Sequence, residues 1–207
     1  MLKHLTQFYR PQTLQEACQL LGEHARKNVA LAGGTHLAAI EDSTIDGLVD
    51  LKGLNLSYIR RGEEAFFLGA TTPIFDIAKS GTLTGPVGNI LRQAASHIGS
   101  TPLRHSITAG GNIIGVFPWS DLPPALLVLD SEVTLTNAHR KRTIPMVTLY
   151  SPRPVDVLEH GEILTEIRIP HPKGKTGTAF HKMAKTANDF ATITIAVRLT
   201  FTGSTIS

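Results

Sequence analysis

Two glycine pairs sit among the residues best suited to hold a ligand. The first lies within Leu31-Ala32-Gly33-Gly34-Thr35-His36-Leu37. The second lies within Thr108-Ala109-Gly110-Gly111-Asn112, followed closely by Ser120-Asp121. Glycine has no Cβ, so such stretches can expose backbone N–H groups to something that approaches closely. Adjacent glycines also lose backbone entropy and pack nothing, which predicts an open bend at Gly110-Gly111 rather than a helix or strand interior. Neither stretch contains Lys or Arg. The chemistry they suit is therefore recognition of a large phosphate-bearing ligand by backbone amides, by the hydroxyls of Thr35, Thr108 and Ser120, and by a helix dipole. Asn112 adds donors and an acceptor. Asp121 has two readings: it accepts from ribose hydroxyls, or it caps the helix that Pro123-Pro124 opens.

Other chemistries are excluded by what is missing. There is no Gly-x-Gly-x-x-Gly fingerprint, and no Gly-Lys-Ser/Thr of a P-loop follows the first glycine pair. Gly-x-Ser-x-Gly and His-Glu-x-x-His are also absent. The nine histidines are scattered without metal-ligand spacing. With no acid–base pair and no metal cluster in view, any reaction has to be carried by a bound cofactor.

The elements that must position the two stretches can be read from periodicity. A short strand is expected from His4 to Tyr9, ended by Pro11. Thr13-Leu14-Gln15-Glu16 has the form of a capping box, opening a helix over 13–26 with Leu14, Ala17, Cys18, Leu21 and Ala25 on one face. Asn28 to Ala32 reads as a strand entering the first glycine pair, Thr35 to Ile40 as a helical turn, and Val49 to Leu51 as the next strand. Two strands are expected within 58–70. Thr72-Pro73 should supply an N-cap and first-turn proline for a helix ending at Gly81, and Pro86 opens another that stops at Gly99. A hairpin is expected from Glu132–Thr136 and Arg142–Ile144 around a solvated basic tip, His139-Arg140-Lys141-Arg142. Strands follow at Ile163–Ile169, Thr178–Lys185 and Ala191–Phe201; the last places Ile193, Ile195, Val197, Leu199 and Phe201 on one face.

The 207 residues, with 42% hydrophobic and 18% charged, describe a globular chain able to bury one ordinary core or a small bilobed one. A net charge of +3 is spread thinly, without the basic stripe of a nucleic-acid binder. A single cysteine, Cys18, excludes an internal disulfide framework and any iron–sulfur cluster held by this chain's own thiolates; its place on a helix face makes it a buried small hydrophobe. No window is apolar enough to span a membrane, and the expected location is the cytoplasm.

Taken together, Ala32-Gly33-Gly34-Thr35, then Thr101-Pro102-Leu103-Arg104-His105-Ser106-Ile107-Thr108-Ala109-Gly110-Gly111-Asn112-Ile113, then Ser120-Asp121-Leu122-Pro123-Pro124-Ala125, resemble the FAD-binding medium subunit of molybdenum hydroxylases. That family includes the flavin domains of xanthine dehydrogenase, carbon monoxide dehydrogenase and 4-hydroxybenzoyl-CoA reductase. Phe8-Tyr9-Arg10-Pro11 with Leu14, Glu16 and Ala17 looks like the family's start. Glu162-Ile163-Leu164-Thr165-Glu166-Ile167 and Phe180-His181-Lys182-Met183 extend the likeness over essentially the whole chain.

The resemblance implies an α+β, two-lobed FAD-binding fold of the vanillyl-alcohol oxidase type. It would comprise a small αβ lobe (1–54), a larger mixed-sheet lobe (55–175) and the start of a truncated C-terminal αβ domain (176–207). It implies that Leu31, Ala32, Gly33, Gly34, Thr35, His36 and Leu37, with Thr108, Gly110, Gly111 and Asn112, bind the diphosphate and ribityl portion of FAD. Ser120 joins them as a hydroxyl donor. Asp121 would lie near ribityl or ribose hydroxyls, and Leu164 and Lys182 near the flavin ring. By the same likeness, partners would be a molybdopterin-binding large subunit and an iron–sulfur small subunit, with NAD+ or another acceptor taking the electrons. Two departures stand out: His36 replaces the Asp, Asn or Ser of many relatives, and the C-terminal domain is cut short. A stand-alone flavin oxidoreductase such as an enolpyruvyl-sugar reductase, and a scaffold subunit that has lost flavin, are the competing readings.

Overall fold

Each expected strand forms, with shifted ends, and backbone pairing sorts the strands into three sheets. The computed structural model describes residues 2, 5–115, 117, 119–151, 153–186, 189–203 and 205–206. The first sheet is parallel. Its strands β1 (Gln7–Tyr9), β2 (Asn28–Leu31) and β3 (Gly47–Asp50) run in the order β1-β3-β2. The strand expected from His4 thus begins at Gln7, and His4 lies outside the described residues.

Helix α1 (Leu14–Leu21) crosses this sheet. Thr13 Oγ1 accepts from the Glu16 N–H, and the Glu16 carboxylate reaches back to the N–H of Gln12, one residue earlier than a capping box predicts. The helix ends at Gly22, well short of residue 26. Its Ala17 and Cys18 pack with Val49, Leu51 and Ile163 in a small core. Burial first, and the Glu162 carboxylate second, push the Cys18 thiol up to about 11, so it is an inert apolar residue. Helix α2 (Thr35–Ala39) fills the turn between β2 and β3.

The second sheet is antiparallel and is built from β4 (Ile59–Arg61), β5 (Ala65–Gly69), β6 (Glu132–Thr136), β7 (Lys141–Pro145) and β8 (Ile163–Pro170), in the order β4-β5-β8-β6-β7. Between β5 and β6 the chain makes α3 (Ile74–Lys79), α4 (Gly85–Ser96), α5 (Thr101–Ser106), α6 (Ala109–Ile114) and α7 (Leu122–Val128). The short helices α8 (Met146–Tyr150) and α9 (Pro154–Val157) precede β8. Phe66, Leu68 and Ile167 of the sheet meet Ile74, Ile77, Ile90, Leu91 and Leu126 of the helices in the main core. Each such side chain contributes about 1.5–3 kcal/mol by burial.

Two local expectations are corrected. Pro73, not Thr72, occupies the N-cap position of α3; the Thr72 hydroxyl instead exchanges hydrogen bonds with the backbone of Tyr58. The basic turn is not simply solvated, because Arg140 pairs with Glu159 and Arg142 makes a two-pronged contact with the buried Glu162, at 2.7 Å on each prong.

The third sheet is a twisted ribbon of β9 (Lys175–Ala184) and β10 (Ala191–Thr202) with the short β11 (Thr205–Ile206), in the order β11-β10-β9. Phe180 and Ala196 face the main core, and Thr178 donates to the carbonyl of Pro86. The alternating set Ile193, Ile195, Val197 and Leu199 does share a face, and that face is turned outward.

Candidate functional site

The first glycine stretch is shaped by what it leans on. β2 delivers the chain to Gly33, where an added Cβ would lie 1.8 Å from the carbonyl oxygen of Ser106 and 3.4 Å from the Cα of Ile107. Only glycine allows that approach, and it brings the first stretch into backbone contact with the residues just ahead of Thr108. Gly34 then takes the left-handed conformation (φ +72°) and stands at the N-cap position of α2. The first-turn N–H groups of a helix have no acceptor within it. Among the described residues, no backbone carbonyl outside the regular elements receives the N–H groups of Gly33, Gly34, Thr35 or His36. The His36 ring leaves this loop and meets Phe117 edge-on, 5.1 Å between centroids.

The second stretch is built differently and corrects the expected bend. Gly110 and Gly111 lie in the first turn of α6, capped by Thr108, whose Oγ1 accepts from the Gly111 N–H at 3.3 Å. The Ala109 N–H donates to the carbonyl of Thr72 (2.9 Å) and the Gly110 N–H to that of Ala70 (2.7 Å). The anticipated bare amides are therefore engaged by the protein itself. Gly110 is required by packing: a Cβ there would lie 2.9 Å from both the Cβ and the oxygen of Ala70.

What remains available on this side is side-chain chemistry. Asn112 and Ser120 are buried together, the Ser120 hydroxyl donating to Asn112 Oδ1 at 2.6 Å. The Asn112 Nδ2 makes no hydrogen bond among the described residues. Tyr150 buttresses the same helix from behind, donating to the carbonyl of Ile113 at 2.8 Å; burial raises its hydroxyl pKa and keeps it a neutral donor.

Asp121 stands at the N-cap position of α7 yet makes no capping bond. Its Oδ2 accepts from Lys182 Nζ at 3.0 Å and its Oδ1 from the Thr194 hydroxyl at 2.8 Å. The two charged side chains are only 2% and 5% exposed, and Lys182 also donates to the carbonyl of His97. Lys182 and Thr194 are cross-strand partners in β9 and β10, so the two sides of a single rung of the ribbon grip one carboxylate. Thr194 was not anticipated from the sequence, because nothing local links it to a residue 73 positions away. Leu164 is buried in the main core on β8.

The structure thus brings together the first stretch with the approach to Thr108, Asn112 with Ser120, and Asp121 with Lys182. The open grooves along α3 and α4, lined by residues such as Lys79 and Arg92, touch none of these positions. Among the described residues no group of three or more His, Cys, Asp or Glu could hold a metal. The donor set fits a dinucleotide diphosphate: unengaged amides on one side, an amide side chain and hydroxyls on the other, and one carboxylate whose charge is matched by a buried lysine.

Known proteins show the same arrangement of sequence and fold. Residues 4–172 match the family described as FAD binding domain in molybdopterin dehydrogenase. The carbon monoxide dehydrogenase medium chain of Afipia carboxidovorans is 32% identical over 203 residues, an alignment covering 95% of this chain and 69% of that one. The nicotinate dehydrogenase FAD-subunit of Eubacterium barkeri is 33% identical over 189 residues, covering 86% and 63%. A solved structure of carbon monoxide dehydrogenase from Hydrogenophaga pseudoflava superposes with a TM-score of 0.91 at 27% identity, covering all of this chain and 73% of that one. The expected two-lobed α+β fold is the fold found, over a chain shorter than these relatives. Among the described residues no helix is long and apolar enough to cross a membrane.

Proposed function

The chain belongs to the family of FAD-binding domains found in molybdopterin dehydrogenases, and from that premise we propose that it is the flavin-carrying electron-transfer subunit of a multi-subunit dehydrogenase. Bound FAD would supply the one- and two-electron chemistry that no side chain here can perform. This chain's residues would hold it. The amides of Gly33 to His36 would bind the diphosphate, Asn112 and the hydroxyls of Thr35, Thr108 and Ser120 would orient it, and Leu31, Ala32, Leu37, Gly110 and Gly111 would shape the close approach. Asp121 would serve the ribityl or ribose hydroxyls, and Leu164 and Lys182 the ring end. Electrons would arrive from a molybdopterin-binding large subunit through an iron–sulfur small subunit and leave to NAD+ or another acceptor, in the cytoplasm. The division into 1–54, 55–175 and 176–207 belongs to the same reading.

The observation that carries it is the contact at Gly33, which joins the unengaged amides of one lobe to the hydroxyl and amide side chains of the other. Purification of the chain with and without added FAD, followed by visible flavin absorbance and thermal melting, tests the cofactor assignment. A bound flavin and a raised melting temperature are expected. Co-purification with molybdopterin and iron–sulfur subunits but without flavin would overturn it in favour of a scaffold.

A further inference from the structure

The inward face of the β9–β10 ribbon is fully committed. Lys182 with Thr194 grips Asp121, and Phe180 with Ala196 meets the main core, so the residues that alternate with them point away from the body. These form four rungs: Gly177 opposite Leu199, Ala179 opposite Val197, His181 opposite Ile195, and Met183 opposite Ile193. Their large apolar members, Met183, Ile193, Ile195, Val197 and Leu199, are between 38% and 51% exposed. Scattered apolar residues on a surface are ordinary, but a contiguous set marks a contact site. No Asp, Glu, Lys or Arg stands in the four rungs; Lys175 lies beyond one end, its ammonium over the Phe201 ring. Along β9 the outward side chains grow steadily, from Gly177 through Ala179 and His181 to Met183, while β10 carries a branched aliphatic at every rung. A Cβ added at Gly177 would meet nothing within 4 Å. The β9 side of the face thus has a low end and a high end, about 20 Å apart.

We propose that the outward face of β9 and β10 is a self-association site, on which a second copy of this chain packs its own ribbon face to face. The two-fold axis lies between the ribbons and crosses the strands midway between the Ala179 and His181 rungs. Such an axis reverses the strand direction and sets β9 over β9 of the copy. Met183 of each chain then fills the space over Gly177 of the other, and His181 meets Ala179, so the size gradient is complementary to itself. On β10, where every rung is of similar bulk, Leu199 meets Ile193 and Val197 meets Ile195. The face also lacks the like charges that would hold two copies apart. Stacking with the strands within about 30° of each other is the ordinary geometry of packed sheets. Four rungs two strands wide measure about 27 Å by about 10 Å. That is small beside the roughly 800 Å² each partner covers in a stable complex, so the dimer should form in the micromolar range. Flavin takes no part in this contact, which stands or falls apart from the FAD reading.

Sedimentation of the full chain across the micromolar range, with and without FAD, tests the contact. Monomer giving way to dimer is expected, with no larger species. Ile195→Lys should raise the dissociation constant at least about tenfold. Its circular dichroism and melting should match the wild type, because Ile195 is half-exposed in the monomer. A mixture of Gly177→Cys and Met183→Cys chains should be joined by a bis-maleimide of about 10 Å reach, the spacing of packed sheets, whereas either variant alone should not. The native Cys18 is buried and stays out of that reaction. A chain that remains monomeric throughout, a dimer that Ile195→Lys leaves intact, or open-ended aggregation would each overturn the proposal. Cross-linking of one cysteine variant to itself would overturn the antiparallel size match. If the chain alone is monomeric and Ile195→Lys instead blocks assembly with molybdopterin or iron–sulfur subunits, the face belongs to those partners and the proposal falls.

Discussion

The two glycine stretches look alike in sequence and do opposite things in space. In the first, Gly34 adopts a left-handed conformation and, among the described residues, no backbone carbonyl outside the regular elements receives the amides that follow. In the second, Ala70, Thr72 and Thr108 take up the amides, and glycine serves to let α6 lie against β5's end without a Cβ between them. One glycine pair presents donors and the other removes bulk. A pair of glycines is thus a statement about close approach, and only the neighbouring acceptors decide whether the thing approaching is a ligand or the protein's own backbone.

The largest effect expected from testing this contrast lies where the second stretch hands over to side chains. Lys182→Met leaves Asp121 buried and unpaired, and should cost about 3–5 kcal/mol in a urea titration. Adding Asp121→Asn to that variant should recover a good part of the loss; no recovery would mean that the pair does not act as a unit. Gly33→Ala comes next. Its Cβ must displace the Ser106 carbonyl, and a loss of about 2–3 kcal/mol together with loss of FAD retention is expected. An alanine that is accepted with unchanged flavin content would break the comparison outright.

A smaller effect concerns the ion pair between Arg142 and the buried Glu162. Burial tends to raise the Glu162 carboxyl, but the Arg142 guanidinium and the Glu159 N–H outweigh it and hold the group below its ordinary value. A depressed carboxylate contributes stability above its unfolded pKa and loses it as pH falls through the folded one. The melting temperature should therefore fall as the medium is acidified below about pH 4, and less steeply in Glu162→Gln. The smallest effect is at Gly111, where an added Cβ meets only the Thr108 hydroxyl at 2.9 Å. Gly111→Ala gains about 1 kcal/mol of helix propensity and puts a cap bond of similar worth at risk, so its melting temperature should barely move. A large loss there would show that Gly111, too, is a contact glycine.

Much of the fold was legible because periodicity and punctuation are local. The strand ending at Leu31, the hairpin around the basic turn and the alternation of β10 needed only neighbouring residues. What stayed hidden depended on partners far along the chain. Helix α6 was misread because its glycines are poor helix formers, while its reason, the surface of Ala70, lies 40 residues upstream of Gly110. Alternation identified Ile193, Ile195, Val197 and Leu199 as one set but could not say which way the set points. Helix α5 was missed although Ser100-Thr101-Pro102 carries a start signal of the kind recognised elsewhere in the chain. At the site, residue types revealed the donors, but not that Asp121 is taken by Lys182 and Thr194, nor that the rings of His36, Phe117, Trp119 and Phe190 meet in sequence.

The double grip on Asp121 has a consequence for how the ribbon docks. In a strand, a slip of one residue exchanges the two faces. Moving β9 and β10 by one position would drive Met183 and Ile193 or Ile195 toward a buried carboxylate and strand the lysine in water. That alternative is penalised twice over, once by an unmatched anion and once by the hydroxyl it would lose. A single aspartate at the head of α7 therefore works as a registration pin, deciding which face of a two-stranded hairpin meets the body of the molecule and which is left for the world outside.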